Sequence, residues 1–310
     1  MELTATGRLA RWRARCKVES RDLIELVLAP SLAAFLPWPL AFRVFQKLAH
    51  WPFLYRVPVE RALAQARQRG WVEDEVDWAW KRRLLTLVDH ADLCLARTRS
   101  DRWMERHLVV QGAWPAPDLP AVLCTFHWGA GMWGLRHMGA AGIKVHALVA
   151  ALHGEHFVGR SVLHWYARAR TNEVSRALDR STLDVSASML PAIRALRRQE
   201  KVGAAVDAPA DQLSANSRIN LLGMPARVPH GLLRMAIGQK VPVCVYLTGL
   251  RMSDGKRFLR IHQLPLHDQT ELLVQAVFGL LNACIAEDAP AWHFWGEADR
   301  VFLPPDAASS

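Results

Sequence analysis

Apolar positions along this chain follow two rhythms. Over residues 56–107 they recur at helical spacing in a charged background. Leu84, Leu85, Leu87, Val88 and Leu95 make one apolar side, opposite a basic side of the kind that is usually solvated. After the turn-like run AWPAPDLP, residues 113–120, the pattern changes to short apolar runs separated by helical stretches. Ala121–Phe126, Ile143–Ala150, Val202–Val206, Val241–Thr248 and Phe258–His262 read as strands. Met189–Arg198 reads as a helix with Pro191 in its first turn, and Gly231–Ile237 as a helix that Gly238 ends. Leu272–Ile285 reads as a final helix. Strands alternating with helices predict an α/β fold, with a mostly parallel central sheet flanked by helices on both faces.

The first 55 residues differ from the rest. Four arginines and one lysine precede Ser20, followed by an apolar stretch from Leu23 to Phe42 about long enough to cross a bilayer. That stretch holds Glu25, Pro30, Pro37 and Pro39, and prolines there would leave carbonyls unpaired in hydrocarbon. The apolar run comes late for a signal peptide, and no small-residue cleavage pattern follows it. Residues 1–55 are therefore expected to form a helical, membrane-associating surface anchor, with a helical hairpin packed on the body as the alternative. Residues 56–310 form the α/β domain.

A net charge of +10 favours an anionic partner, and thirteen tryptophans suit a membrane interface as well as a core. The five cysteines include no CxxC pair, which argues against a disulfide framework or a cysteine-built zinc site and favours a reducing compartment.

The chemistry concentrates in AVLCTFHWGAGMWGLRHM, residues 121–138. A strand ends at His127, and a turn containing Gly129 and Gly131 opens a helix. Ligands of open parallel sheets gather at the carboxyl ends of strands, where an imidazole is placed for proton transfer. Glycines permit close backbone approach, and a helix start offers free N–H groups to a phosphate or an oxyanion.

Two further stretches follow: VGAAVDAPADQ, in which Asp207 leaves a short strand, and INLLGMPARVPHGLLRMA, which contains Gly223. In this order, over roughly residues 105–300, the chain resembles the bacterial lipid A biosynthesis acyltransferases within the lysophospholipid acyltransferase superfamily. The resemblance implies a glycerol-3-phosphate acyltransferase-like fold at the cytoplasmic face of the inner membrane, peripheral or monotopic. It implies transfer of a fatty acyl group from an acyl carrier protein or coenzyme A thioester to a hydroxyl of a lipid or glycolipid, at a membrane surface. His127 would act as general base and Asp207 would share the catalytic site. Gly129, Gly131, Arg168, Arg170 and Gly223 would bind substrate, and no metal or organic cofactor is needed. The family places an acidic residue five positions after its histidine, where this chain has Met132. Either Asp207 or Glu155 replaces that carboxylate, or a backbone carbonyl holds the imidazole, or the protein is a lipid-binding relative with a degenerate site.

Other chemistries fit less well. His153 and His156 in HGEH are three apart with a glycine between them, unlike the helical HExxH zinc spacing. The basic residues are scattered without a nucleic-acid-binding signature, so no nucleic-acid partner is expected. No G-x-S-x-G elbow is present.

Overall fold

The computed structural model describes residues 5–149, 157–209 and 215–304. Helix α1 (Ala5–Leu23) continues through a wide turn, Ile24–Leu28, into α2 (Ala29–Phe35). Pro30 has no N–H to donate, and the neighbouring Ala29 N–H reaches back to Ile24, which widens the turn just before the proline. Pro37 opens α3 (Trp38–Leu48). Helices α4 (Arg56–Gln68) and α5 (Glu75–Thr98) follow, then the short α6 (Asp101–Glu105). Asp74 caps α5 by accepting from the N–H groups of Val76 and Asp77 at 2.8 and 3.1 Å.

The α/β part begins with strands β1 (Leu108–Gln111) and β2 (Val122–Thr125), helix α7 (Met132–Ala140) and strand β3 (Val145–Val149). Next come α8 (Ser161–Leu178), β4 (Leu183–Asp184), α9 (Leu190–Arg197) and β5 (Lys201–Ala205). A hairpin of β6 (Asn216–Leu221) and β7 (Met224–Pro229) leads to α10 (Gly231–Gly238), β8 (Val243–Leu250), β9 (Arg257–Gln263) and α11 (Thr270–Glu287). The seven-stranded sheet has the order β1-β9-β8-β2-β5-β3-β4. Strands β8, β2, β5, β3 and β4 run parallel, and β9 and β1 run the opposite way. The fold is thus α/β with a mostly parallel sheet flanked by helices. The connection leaving β2 moves towards β3, and the connection leaving β5 moves towards β8. Right-handed crossovers then put α7 and α8 on one face and α10 on the other, so the sheet reverses its winding between β2 and β5.

One sequence expectation changes here. The side of α5 away from its leucines is not simply solvated, since Arg82 and Asp89 are buried. The apolar core also runs without a break across residue 55. Ala33, Trp38, Phe42, Phe45 and Ala49 pack into the same core as the sheet. The N-terminal segment docks through polar bonds as well. The Asp22 carboxylate accepts two bonds from Arg160 at 2.7 and 2.9 Å. Glu19 accepts the Ser161 and Val162 N–H groups at the start of α8, at 2.6 and 2.9 Å. Several apolar side chains of this segment stay open: Ile24, Leu28, Phe35, Leu40, Trp51 and Phe53 are exposed. Among the described residues, α11 alone is long and apolar enough to cross a bilayer, and it sends Val277, Phe278, Leu281 and Ile285 into the core.

Candidate active site

Strand register brings the two central residues together. Thr125 on β2 pairs with Ala205 on β5, so the residues two positions onward, His127 and Asp207, leave the sheet side by side at its winding reversal. The Asp207 carboxylate is buried and fully occupied. It accepts the His127 backbone N–H at 2.9 and 3.0 Å, the His127 Nδ1 at 2.8 Å, and the Trp292 indole N–H at 3.0 Å. Nδ1 facing a carboxylate must carry the proton, which leaves Nε2 with its lone pair directed away from Asp207. The His127 side chain is 46% exposed against 1% for Asp207. Burial depresses the imidazole pKa, but the Asp207 charge and hydrogen bond outweigh it and leave the pKa above the ordinary histidine value.

The segment after α11 completes this arrangement. The His293 N–H donates to the His127 carbonyl at 2.7 Å, and the Phe294 ring meets the His127 ring edge-on at 4.6 Å. Arg82, buried on α5, donates to the carbonyls of Pro290, Trp292 and His293 at 3.0–3.1 Å, fixing the segment. Burial and then the Arg82 charge push the His293 imidazole down to about 4, so it is neutral near pH 7. Its Nε2 donates to the Gly129 carbonyl at 2.7 Å, leaving Nδ1 as an acceptor.

The two glycines of the turn differ. Gly129 has φ +69°, and a Cβ there would lie 2.2 Å from the Thr248 carbonyl oxygen, so only glycine fits. Its N–H is taken by Ala291 at 3.0 Å, and the Ala130 N–H by Thr248 at 2.9 Å. Neither is free for an oxyanion. The N–H groups of Gly131 and Met132, where α7 begins, have no acceptor among the described residues, and both residues line the cavity described below.

The remaining residues singled out in the sequence separate. Arg170 lies beside His127 but is committed: it donates to Asp89 at 2.7 Å and to the Tyr166 hydroxyl at 3.2 Å. Burial pushes the Asp89 carboxyl up, and the Arg170 guanidinium more than reverses this, holding it well below the usual carboxylate range. The His90 Nδ1 meets the Tyr166 hydroxyl at 2.6 Å, and burial depresses that imidazole to about 3. Arg168 sits on the other side of α8, in a separate cleft with Arg97, His164 and Trp165. Gly223 does not reach the site either. With Leu222 it forms the two-residue β6–β7 turn, at φ 56° and 78°. Glu155, His153 and His156 lie outside the described residues, among which no three His, Cys, Asp or Glu side chains are grouped to hold a metal.

A cavity of about 500 Å³ opens at His127 and runs under α7 and α8. Its rim is polar, with Asp89, His90, His127, Arg170 and His293, and its interior is apolar, with Leu123, Leu135, Val145 and Val174. Of the rim residues other than His127, sequence reasoning singled out only Arg170. Asp89, an acid within the leucine-rich run of α5, and the histidine within AWHFW were the available signals. No protein-family model matches the chain, and a search of curated proteins finds no match.

Proposed function

We propose that this protein is an acyltransferase moving a fatty acyl group from a thioester, of acyl carrier protein or coenzyme A, to a hydroxyl of a lipid or glycolipid. The observation that carries the reading is an imidazole held by a buried carboxylate, its Nε2 free, at the mouth of an apolar cavity. His127 Nε2 takes the proton of the acceptor hydroxyl as that oxygen attacks the thioester carbonyl. The tetrahedral oxyanion lies against the Gly131 and Met132 N–H groups. Its collapse breaks the C–S bond, and the imidazolium returns the proton to the departing thiolate. Asp207 keeps the imidazole in the required tautomer and stabilises its cation, the part the family gives to the acid missing at Met132. Asp207 can do this because its own position is fixed by the His127 N–H and by Trp292.

A lipid acceptor and a membrane surface belong to the same reading, with a glycerol-3-phosphate acyltransferase-like fold. The exposed apolar side chains Ile24, Leu28, Phe35, Leu40, Trp51 and Phe53, with a basic N-terminal helix, suit an anionic bilayer surface at the cytoplasmic face of the inner membrane. The test is to incubate purified protein with an acyl thioester and candidate lipid acceptors and detect acylated product by mass spectrometry. Product formation is expected with the wild type and not with His127→Ala. A robust activity that survives His127→Ala removes the catalytic assignment, and binding of lipid without transfer favours a degenerate, lipid-binding relative.

A further inference from the structure

Resting on that reading, we infer that the cavity is a closed acyl-chain pocket limiting the chain to about ten to twelve carbons, with Met138, Val145 and Leu178 as its end wall. The sheet sets its direction. His127 stands at the carboxyl edge, just beyond the last residue of β2, and the cavity follows β3 back from Val149 through Leu148 and Ala147 to Val145, its first residue. Helices α7 and α8 run the same way. Gly131 and Met132 line the cavity where α7 begins and Met138 near its end, while Leu178 is the last residue of α8.

The two ends differ in solvent access. The His127 side chain is 46% exposed, whereas Met138, Val145 and Leu178 are 1%, 1% and 2% exposed, so the far end is sealed. Gly139 and Ala177 explain the seal. A Cβ on Gly139 would lie 2.0 Å from the Ala177 carbonyl oxygen, so α7 and α8 close on each other beside the end wall. No charged residue lines the cavity below its rim, and the Thr125 and Tyr246 hydroxyls there bond each other. Four steps along a strand cover about 13 Å, and a zigzag hydrocarbon advances about 1.3 Å per carbon, giving roughly ten carbons below the rim. A saturated chain of medium length fits, and a chain of sixteen carbons cannot be fully housed.

The test is direct binding of saturated fatty acids of eight to sixteen carbons to the full-length protein, read by displacement of a fluorescent fatty acid. Affinity should climb about fourfold per added methylene and stop climbing near ten to twelve carbons. Leu178→Ala should move the break to longer chains, and Val174→Phe, which fills the middle of the cavity, should move it to shorter ones. An unbroken climb to sixteen carbons, or a break that neither substitution moves, overturns the pocket. The readout is independent of catalysis. A break without acyl transfer to any acceptor leaves the pocket standing and removes the reaction, while transfer without a break does the reverse.

Discussion

Two buried carboxylates in this protein, Asp207 and Asp92, each face a nitrogen base, and their surroundings give them different roles. Asp92 on α5 pairs with Arg257 on β9, both wholly inaccessible. The Arg257 guanidinium lies between the rings of Trp38 and Trp133, 4.1 and 4.3 Å from their centroids. Neither residue lines the cavity at His127, and one Asp92 oxygen and the Arg257 Nε have no hydrogen-bond partner among the described residues. Asp207 is just as buried, but its partner imidazole leans out over the cavity and every bond to the carboxylate serves to hold that ring. Burial of charge alone therefore does not identify a site. An open nitrogen backed by a fully satisfied carboxylate does.

The contrast can be broken from either side. Asp207→Asn should lower acyl transfer on the order of 10⁴-fold, by misorienting the imidazole, while leaving the folded structure intact. Steady-state rates and thermal unfolding on the same preparation check both halves. Arg257→Met should do the opposite. It strands the Asp92 carboxylate in the core at a cost of about 3–5 kcal/mol in denaturant unfolding, while transfer per folded molecule stays near wild type.

Acidification should come next in size. His90 and His293 are held neutral in the folded state, at about 3 and about 4, whereas the unfolded chain protonates both below roughly pH 6.5. Stability is therefore full above that pH and falls as pH drops towards 4, by about 2–4 kcal/mol between pH 7 and 5 from these two groups. The raised pKa of His127 acts oppositely, favouring the folded state at acid pH, and offsets part of the loss. Urea unfolding at the two pH values measures the balance. The smallest effect on rate is expected from Met132→Glu. The His127 Nδ1 already has its carboxylate, so restoring an acid there should give no gain in transfer; a large gain would mean that Asp207 does not fill the role.

Strands β2, β3, β5, β8 and β9 were legible because they are short apolar runs with clear boundaries, and β8, buried along its whole length, is the plainest of them; β1 and the two-residue β4 at the sheet edges were not. The hairpin of β6 and β7 was not, because INLLGMPARVP mixes apolar and polar positions without strict alternation. His127 and Asp207 could be picked out as strand-terminal residues. That they are neighbours follows from β2 pairing with β5, eighty residues further along, which no local pattern encodes. Arg168 and Arg170 lie two apart on one helix, so they face nearly opposite ways, and only Arg170 turns to the cavity. Trp292 and His293 escaped notice because an aromatic-rich stretch reads as ordinary core, and their bonds to the site, the Trp292 indole to Asp207 and the His293 N–H to the His127 carbonyl, depend on a tertiary contact.

The pH dependence of single-turnover acyl transfer tests the dyad most directly. In the wild type the rate should fall with acid through one ionisation above the ordinary histidine value, as His127 loses its free Nε2, and in Asp207→Asn that limb should move to lower pH. A limb that stays in place when Asp207 is neutralised would contradict an imidazole base governed by this carboxylate.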